Sequence, residues 1–421
     1  MNLFNSFNKG KNKALVVFIL TMIIAMVISG CSNGNATPIG ALKDQDGERV
    51  SVETAYENSA LIKLGDEIVI EGDQEGITVT DQVIHITKGG VYNISGTLRE
   101  GQILLEGKHE TFTLELDGVD ITNSSGPAIL TLDAEHTYIL LVENTVNTLS
   151  DGGKEEEHEA PLFSGDDMTI SGEGTLNIFG NYQEGIESND ILTINGGIIN
   201  IEAVDDALNA GDGIVINGGT IIANSGGDGI DSNGDLTING GYIKVSAGNN
   251  ANGPVDIGDG GAYKFTINGG TLVASGGNMS IKTDTSATQN VIWIYDPFTA
   301  HEEITLTDEA GNILFNTTLE EAASSVLIST DSIKTGQTYN LIRTDKAAES
   351  FVISEVSTTI GESKGMGGNR GGRSGRSSTD GAKAPEEGEF TPPEGLPEGE
   401  RTPPEGEKIP MNNKNDNSNG Q

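Results

Sequence analysis

Apolar and polar residues alternate in short runs along the middle of the chain, with no helical pattern between the runs. In the segment 191–203, Leu192 and Ile194 enclose one polar residue, a Gly-Gly pair follows, and Ile199 and Ile201 resume the alternation. Side chains two residues apart on a strand face the same side. The pattern therefore predicts two short strands joined at a glycine bend, with their apolar side chains turned towards one core.

This pattern recurs at a nearly fixed spacing. The Asn of an Ile-Asn-Gly-Gly unit falls at Asn195, Asn217, Asn239 and Asn268, so the steps are 22, 22 and 29 residues. Such a repeat indicates a solenoid or a propeller, in which each unit buries its apolar face against its neighbours. The unit is too short for a four-stranded blade or a helix pair, but it suits one turn of a parallel β-helix. We therefore predict an all-β solenoid whose turns are about 4.8 Å apart, with the four asparagines forming a ladder.

Composition divides the chain into five segments. We expect a lipoprotein signal peptide, a polar spacer, a β-helix domain, a small C-terminal β cap and a disordered tail, at residues 1–31, 32–60, 61–286, 287–360 and 361–421, respectively. The cap is expected because glycine becomes sparse there and an open strand edge would promote aggregation. The tail is rich in Gly, Pro and Glu and poor in apolar residues, which is typical of disorder. Residues 151–161 form a charged excursion.

The N-terminus has the features of an export signal. Three lysines precede an apolar run over residues 14–28, and an Ile-Ser-Gly-Cys motif ends at Cys31. A basic start, an apolar stretch and small residues at the cleavage point are typical of a secretory signal peptide. The motif resembles the lipobox of bacterial lipoproteins, in which the Cys becomes the acylated N-terminus. We therefore expect export and anchoring to the outer face of the bacterial membrane through a lipid on Cys31. A plain signal peptide or a signal anchor is the alternative.

Charge and cysteine content limit the possible partners. Lys and Arg number 24 against 63 Asp and Glu, which gives a formal charge of −39. A nucleic acid partner is excluded, because phosphate binding requires a basic surface. The charge favours cations, neutral ligands, or anionic ligands bridged by cations. The single Cys excludes a disulfide framework and a cysteine-ligated metal site.

Acidic residues recur at two positions of successive repeats. The first position holds Glu184, Asp206 and Asp228, and the second holds Glu187, Asn209, Asp231 and, after an insertion, Asp256. Like charges stacked one strand apart repel each other, and a bound cation removes the conflict. Ca²⁺ takes six to eight oxygen ligands, so these residues are candidate Ca²⁺ ligands. The alternative is a series of solvated turns whose Asp and Asn side chains cap the backbone.

Several motifs together resemble a known family. They are SGTLREGQILLEG, LELDGVDITNSSGPAI, VENTVNTLSDGG and the Ile-Asn-Gly-Gly repeats with their acidic turns. Over roughly residues 60–350 the chain is similar to the bacterial β-helix carbohydrate-binding domain, whose type member is a polysaccharide-lyase-like protein of a cellulolytic clostridium. The resemblance implies a right-handed parallel β-helix, bound Ca²⁺, and affinity for cellulose and acidic polymers such as polygalacturonate. It places the Ca²⁺ ligands in the turns Glu184–Glu187, Asp205–Asn209 and Asp228–Asp231, and so adds Asp205 to the candidates.

A pectate-lyase-like enzyme is the main alternative to a binding protein. Such a lyase needs a base, usually Arg or Lys, to remove the C5 proton of a uronate neutralised by Ca²⁺. The regular repeats from 162 to 283 contain no Arg, and their only lysines are Lys244, Lys264 and Lys282. Lys244 and Lys264 flank core positions of strands and are expected to project into solvent. We therefore expect a non-catalytic polysaccharide-binding protein; a structural spacer or adhesin is a further alternative.

Aromatic residues are candidates for sugar contact, since a pyranose face packs against an aromatic ring. Tyr182 lies just before the first acidic turn, and Tyr242 takes a position held by Ile198 and Thr220 in earlier repeats. We expect both tyrosines to face solvent and to contact the polysaccharide. Trp293 and its neighbour Tyr295 are expected to pack between the repeats and the cap instead.

Overall fold

The computed structural model describes residues 59–152, 158–248, 252–258, 262–278 and 281–362. Cys31, the signal peptide, most of the spacer and nearly all of the tail lie outside these residues. The described part is all-β: it contains thirty-two strands and no helix. Among the described residues there is no helix that is long and apolar enough to cross a membrane.

The strands, in chain order, are Ser59–Leu64 (β1), Val69–Gly72 (β2), Ile77–Thr80 (β3), Val83–Ile86 (β4), Gly90–Leu98 (β5), Gln102–Glu106 (β6), Thr111–Asn123 (β7), Ile129–Asp133 (β8), His136–Leu141 (β9), Val146–Asp151 (β10), Leu162–Ser164 (β11), Met168–Gly172 (β12), Thr175–Gly180 (β13), Ile186–Ser188 (β14), Ile191–Ile194 (β15), Ile198–Ala203 (β16), Leu208–Ala210 (β17), Gly213–Ile216 (β18), Thr220–Ser225 (β19), Ile230–Ser232 (β20), Asp235–Ile238 (β21), Tyr242–Ser246 (β22), Asp256–Ile257 (β23), Phe265–Ile267 (β24), Thr271–Gly276 (β25), Val291–Phe298 (β26), Glu303–Asp308 (β27), Ile313–Thr318 (β28), Ala323–Ser329 (β29), Thr338–Arg343 (β30), Glu349–Val352 (β31) and Ser357–Gly361 (β32).

Each regular repeat contributes three strands, and each strand pairs in parallel with the equivalent strand of the next repeat. The first stack contains β8, β11, β14, β17, β20 and β23. The second stack contains β9, β12, β15, β18, β21 and β24. The third stack contains β10, β13, β16, β19, β22 and β25. The long strand β7 serves two stacks, because it pairs with β9 in its first half and with β10 in its second.

The alternation in the sequence fills the space between the stacks. Leu192, Ile194, Ile199 and Ile201 are all buried, as the period-two pattern predicts, and belong to one continuous apolar core. Burial of this kind contributes about 25 cal/mol per Å² of apolar surface removed from water. Because each repeat closes its core only against its neighbours, the register of the stacks holds these side chains inside.

The predicted asparagine ladder is present at the bend between the second and third stacks. Asn217 donates to the Oδ1 of Asn195 at 2.8 Å, Asn239 to that of Asn217 at 2.8 Å, and Asn268 to that of Asn239 at 2.9 Å. The second glycine of each unit has a positive φ, for example +93° at Gly197. Glycine adopts this conformation without steric strain, which explains why the ladder is always followed by a Gly-Gly pair.

A β module follows the last repeat, and one strand joins it to the stacks. Strand β29 pairs antiparallel with both β25 and β26, while β27, β28, β30 and β31 form a separate four-stranded sheet. Along β26, Trp293 and Tyr295 face the core of the repeats, whereas Ile292 and Ile294 face a second core inside the module. Trp293 is only 2% exposed, and its ring stacks on that of Tyr295 at 5.8 Å between centroids. The aromatic pair therefore packs between repeats and module, as expected.

Candidate functional site

The first acidic position lies in the bend that leads into the first stack. Glu184, Asp206 and Asp228 each stand two residues before a three-residue strand, at β14, β17 and β20. Their backbones are stacked, because Gly185 donates to the carbonyl of Asp206 at 2.8 Å and Ala207 donates to that of Asp228 at 3.1 Å. All three acidic residues are buried. Three carboxylates are thus placed in a row with little access to water.

The second acidic position lies in the middle of the same short strands. The register pairs Glu187 with Asn209, Asn209 with Asp231, and Asp231 with Asp256. The step from Asp231 to Asp256 is 25 residues instead of 22, so this repeat has three extra residues and the register is kept. Within β14 and β20 the residues on either side of this position are buried, so the side chain at the centre points away from the core. The two rows therefore lie side by side at one edge of the first stack.

Three carboxylates come close enough to share one ion. Ligand atoms of Asp206, Asp228 and Asp231 all lie within 4.8 Å of one another. The backbone N–H of Asp228 donates to Asp206 Oδ1 at 2.6 Å, and Asn209 Nδ2 donates to Asp206 Oδ2 at 3.4 Å. We call Glu184, Glu187, Asp206, Asp228 and Asp231 together the acidic cluster.

A glycine is required beside these carboxylates. A Cβ on Gly227 would lie 2.2 Å from Asp205 Oδ1 and 2.3 Å from Asp206 Oδ1, and 2.7 Å from the Asp205 carbonyl carbon. Any larger residue would push both carboxylates out of place. Asp205, half-buried, thus lies next to the cluster through its contact with Gly227, while Asp256 continues the second row.

Burial raises the pKa of two glutamates of the cluster. Burial, followed by the nearby charges of Glu187 and Glu159, raises the pKa of Glu184 to about 9. Burial and the charge of Glu159 raise the pKa of Glu187 to about 7. The Oε2 atoms of both residues are buried and have no hydrogen-bond partner among the described residues. Buried carboxylate oxygens of this kind are normally paired or coordinate a metal.

Asp206 and Asp231 titrate as a pair. Burial raises the pKa of Asp231, and the charges of Asp206, Asp228 and Asp256 raise it further. Burial also raises the pKa of Asp206, against the backbone hydrogen bond from Asp228. The two carboxyl groups therefore hold their protons more tightly than free aspartates do. A hard divalent cation fits this donor set, because it supplies the positive charge that the described residues around the cluster do not.

Two participants in the site were missed from the sequence. Glu159 comes from the end of the charged excursion, and its charge acts on both Glu184 and Glu187. Its backbone also joins the site, because Glu184 N donates to the Glu159 carbonyl at 3.0 Å. Gly253 takes the place of Asp228 in the next repeat, since Gly229 donates to its carbonyl at 3.1 Å as Ala207 does to that of Asp228, and its backbone N–H donates to Asp228 Oδ1. Glu159 lies before the regular repeats and Gly253 has no side chain at its position in the row, so the recurrence of acidic residues identifies neither.

The candidate sugar-contacting tyrosines lie at different places. Tyr182 is half-buried in the bend before Glu184, whereas Tyr242 is exposed at the start of β22 in the third stack. No contact between the two tyrosines is present in the described structure. If both contact a polysaccharide, they do so at separate surfaces.

Two lysines of the repeats, Lys244 and Lys264, form ion pairs away from the acidic cluster. Lys244 lies 2.5 Å from Glu320 of the C-terminal module, and its side chain is only 17% exposed. The expectation that Lys244 projects into solvent was therefore wrong, because the module covers this end of the third stack. Lys264 is largely exposed, as expected, and lies 3.8 Å from Asp284.

Comparison with known proteins gives consistent matches. The family of carbohydrate-binding domain-containing proteins matches residues 80–361. A carbohydrate-binding domain-containing protein of Acetivibrio thermocellus is 30% identical over 197 residues, which cover 45% of this chain and 65% of the relative. The chain thus spans about 65% of the length of that relative. A solved structure of the polysaccharide lyase-like protein from C. thermocellum, a gadolinium derivative, is 30% identical with a TM-score of 0.45 and covers 51% of this chain and 93% of that chain.

Proposed function

The chain belongs to the family of carbohydrate-binding domain-containing proteins, and we propose that it is a surface-anchored, non-catalytic protein that binds polysaccharide with the help of Ca²⁺. Family membership supports polysaccharide as the ligand class. The main support for Ca²⁺ binding is the acidic cluster, in which ligand atoms of Asp206, Asp228 and Asp231 lie within 4.8 Å of one another.

For the fold we propose a right-handed parallel β-helix closed by the C-terminal module. Three parallel stacks with equivalent pairing in every regular repeat support the helical path. The right hand follows the general preference of parallel crossover connections and the family resemblance. A crystal structure in which the chain winds with the left hand would contradict this proposal. So would a structure in which the three stacks do not surround one common core.

The acidic cluster is proposed as the Ca²⁺ site. Asp206, Asp228 and Asp231, whose ligand atoms converge, would supply carboxylate oxygens. Glu184, buried in the same row as Asp206 and Asp228, would supply another. Asn209, Asp205, Glu187 and Asp256 are the further oxygen donors proposed around them. A bound Ca²⁺ would offset the repulsion within the rows and offer a coordination position to a carboxylate of the ligand. The buried, unpartnered Oε2 atoms of Glu184 and Glu187 support a cation at this place.

For the ligand we propose cellulose or acidic glycans such as polygalacturonate. A chain with a formal charge of −39 repels a polyanion. Binding of an acidic glycan therefore requires a cation between the two partners, which links the ligand class to the cluster. Tyr182, in the bend before Glu184, is proposed to contact the sugar ring next to the ion.

The lipid anchor is proposed from the sequence around Cys31, which lies outside the described residues. Acylation at Cys31 would hold the protein at the outer face of the membrane, where extracellular polysaccharide is accessible. Substitution of Cys31→Ser should release the protein from the membrane fraction of expressing cells. Retention of that variant in the membrane fraction would argue for a signal anchor instead.

The proposed function is tested by binding measurements on the full chain in detergent. Cellulose, polygalacturonate and an uncharged α-glucan are compared in Ca²⁺, in Mg²⁺ and in EDTA. We expect polygalacturonate to bind in Ca²⁺ and not in Mg²⁺ or EDTA. We expect no absorbance of unsaturated uronides during incubation. Absence of binding to every polysaccharide would refute a carbohydrate-binding role, and unsaturated products would show a lyase.

A further inference from the structure

Exposed apolar side chains are concentrated on the outer face of the third stack. Val146, Phe179, Ile198, Ile222 and Tyr242 lie on its strands β10, β13, β16, β19 and β22, and are between 38% and 60% exposed. We call this outer face the platform. Large apolar side chains of this exposure lie on five of the six strands of the third stack.

The platform has a repeat of its own. Pairing in the stack places Val146 beside Thr175, Thr175 beside Ile198, Ile198 beside Thr220, and Thr220 beside Tyr242. An apolar residue therefore alternates with threonine along the stack. Neighbouring strands are about 4.8 Å apart, so the apolar residues recur about every 9.6 Å. A regular spacing of this kind suits a linear polymer better than a globular partner.

A β-1,4-linked glucan has the matching periodicity. One of its sugars is about as long as one strand spacing, and successive sugars are turned by half a rotation. The same ring face therefore recurs at every second sugar, as an apolar side chain recurs at every second strand. Apolar and aromatic side chains pack against the C–H face of a pyranose ring. A glucan laid across the strands would meet an apolar contact once per disaccharide.

Hydrogen-bonding groups lie beside the apolar row. Asn200 Nδ2 donates to Asn177 Oδ1 at 2.9 Å, which leaves Asn177 Nδ2 and Asn200 Oδ1 to face outward. The described residues give these two atoms no other partner. One outward donor and one outward acceptor are what sugar hydroxyls require, since each hydroxyl both donates and accepts.

The low charge of the platform favours a neutral polymer over a charged one. Among the outward positions of β10, β13, β16, β19 and β22, the residues charged at neutral pH are Glu202 and Lys244. Lys244 is already paired with Glu320 of the C-terminal module, and Glu202 accepts a hydrogen bond from Asn224 at 3.0 Å. The platform is thus almost uncharged on a chain of charge −39. A second copy of the chain would bring two strongly negative molecules together, whereas a neutral polymer is not repelled.

We infer that the platform binds an uncharged β-1,4-linked glucan of the cellulose type, as a surface separate from the acidic cluster. This inference rests on the proposed function, since it assigns part of the polysaccharide binding to a particular face. Acidic glycans remain assigned to the acidic cluster, and neutral glucan to the platform. Binding of the neutral glucan therefore does not require Ca²⁺ as a bridge.

The repeats themselves supply conservative variants for the test. Thr occupies the position of Ile198 in the two neighbouring strands, and Asn occupies that of Ile222 in β13 and β16. The double variant Ile198→Thr, Ile222→Asn therefore introduces residues that this sheet already accommodates. The triple variant adds Tyr242→Thr. Val215→Thr is the matched control, because Val215 lies between Thr193 and Thr237 on the outer face of the second stack.

Binding of the full chain in detergent is measured on swollen, uncharged cellulose in Ca²⁺, with polygalacturonate as the second probe. We expect the double variant to bind cellulose about tenfold more weakly, as follows from the loss of buried apolar contact. The triple variant should bind more weakly still. The control should bind cellulose like the original chain, and the double variant should retain polygalacturonate binding. Melting temperatures of all variants are measured to show that they are folded.

The outcomes separate the inference from the proposed function. If the original chain binds no polysaccharide, the proposed function fails. If it binds cellulose and the folded double and triple variants bind it equally well, only the platform inference is overturned. An equal loss of cellulose binding in the Val215→Thr control, or an equal loss of both polysaccharides in the double variant, would also overturn it. Should the triple variant not fold, the double variant decides.

Discussion

The backbone N–H of Asp228 donates a 2.6 Å hydrogen bond to Oδ1 of Asp206, one repeat earlier. The next repeat continues this arrangement, since Gly253 donates to Oδ1 of Asp228. Each aspartate thus caps the bend of the following repeat with one oxygen. A carboxylate has further lone pairs on its two oxygens, so capping does not prevent coordination of a cation. Turn capping and Ca²⁺ binding, which are alternatives at the level of the sequence, are compatible in this structure.

Calcium is predicted to stabilise the fold through the acidic cluster. A ligand that binds only the folded state stabilises it by about 2.7 kcal/mol at a hundredfold excess over Kd. Ca²⁺ should therefore raise the melting temperature, and EDTA should lower it. The variant Asp206→Asn, Asp228→Asn keeps the capping oxygens but removes two negative charges. We expect it to lose the response to Ca²⁺ while its melting temperature in EDTA stays the same or rises.

Asp212→Asn provides the control for this measurement. Asp212 is an exposed acidic residue of the same repeats, outside the acidic cluster. Its substitution changes the net charge without touching the proposed ligands, so the full response to Ca²⁺ should remain. A melting temperature of the original chain that is the same in Ca²⁺ and in EDTA would show that the rows are capped turns without an ion.

The affinity for Ca²⁺ should rise with pH between 6 and 9. The pKa of Glu187 is raised to about 7 and that of Glu184 to about 9, chiefly by burial. A raised pKa means that folding takes up protons, so the stability linked to these carboxyl groups is present at low pH. That stability is lost as the pH rises from the unfolded value near 4.3 through the folded values. Ca²⁺ must displace these protons, and binding should therefore strengthen as they dissociate.

Calorimetric titrations of Ca²⁺ in buffers of different ionisation enthalpy check this prediction. Near pH 7 we expect net proton release on binding, and less release at pH 9. The Asp206→Asn, Asp228→Asn variant serves as the baseline, because it should show neither heat of binding nor proton release. Binding of Ca²⁺ with the same affinity and without proton release at both pH values would place the ion away from the glutamates.

The register of the stacks and the rows of acidic residues could be predicted from the sequence. Both follow from local alternation and from one repeat length, and both depend only on residues that recur. The pairing of Asp231 with Asp256 could be predicted even across an insertion, because the acidic residue resumes its column after the inserted stretch. Periodic patterns of this kind specify register strongly, since a one-residue slip would expose every core side chain.

The parts that do not repeat could not be predicted. Glu159 reaches the acidic cluster from an excursion. The ion pair between Lys244 and Glu320 joins residues 76 positions apart and depends on how the module docks. None of these contacts follows from alternation, because each depends on the path of an irregular segment. The platform was likewise only partly visible from the sequence, through Tyr242.

The asparagine ladder should stabilise the fold in proportion to the number of hydrogen bonds that each member makes. Asn217 both donates to Asn195 and accepts from Asn239, whereas Asn195 only accepts within the ladder. A neutral hydrogen bond contributes about 0.5–1.5 kcal/mol. Asn217→Ala should therefore lower the free energy of unfolding by about 1–3 kcal/mol, and Asn195→Ala by about half as much. Denaturant unfolding measures both values, and equal losses would show that the ladder does not act through its internal bonds.

The C-terminal module should depend on the buried ion pair between Arg343 and Glu302. The Nε of Arg343 donates to Glu302 Oε1 at 2.7 Å, and both side chains are almost fully buried. Removing one partner of such a pair costs about 3–5 kcal/mol, whereas replacing both partners is far less costly. Arg343→Met should thus destabilise the protein more than the double variant Arg343→Met, Glu302→Gln. Burial acts to raise the pKa of Glu302, but the hydrogen bonds from Arg343 and Thr299 and the charge of Arg343 together outweigh it and lower the pKa below the usual value. The stability from this pair is therefore present above about pH 4.3, the unfolded value, and is lost as the pH falls through the folded pKa.

Urea unfolding from pH 7 to pH 3 should show the difference between the original chain and Arg343→Met shrinking towards low pH. A difference that is independent of pH, or a double variant less stable than Arg343→Met, would mean that Arg343 stabilises the module through its contact with Phe298 instead, whose ring centre lies 3.6 Å from the guanidinium carbon.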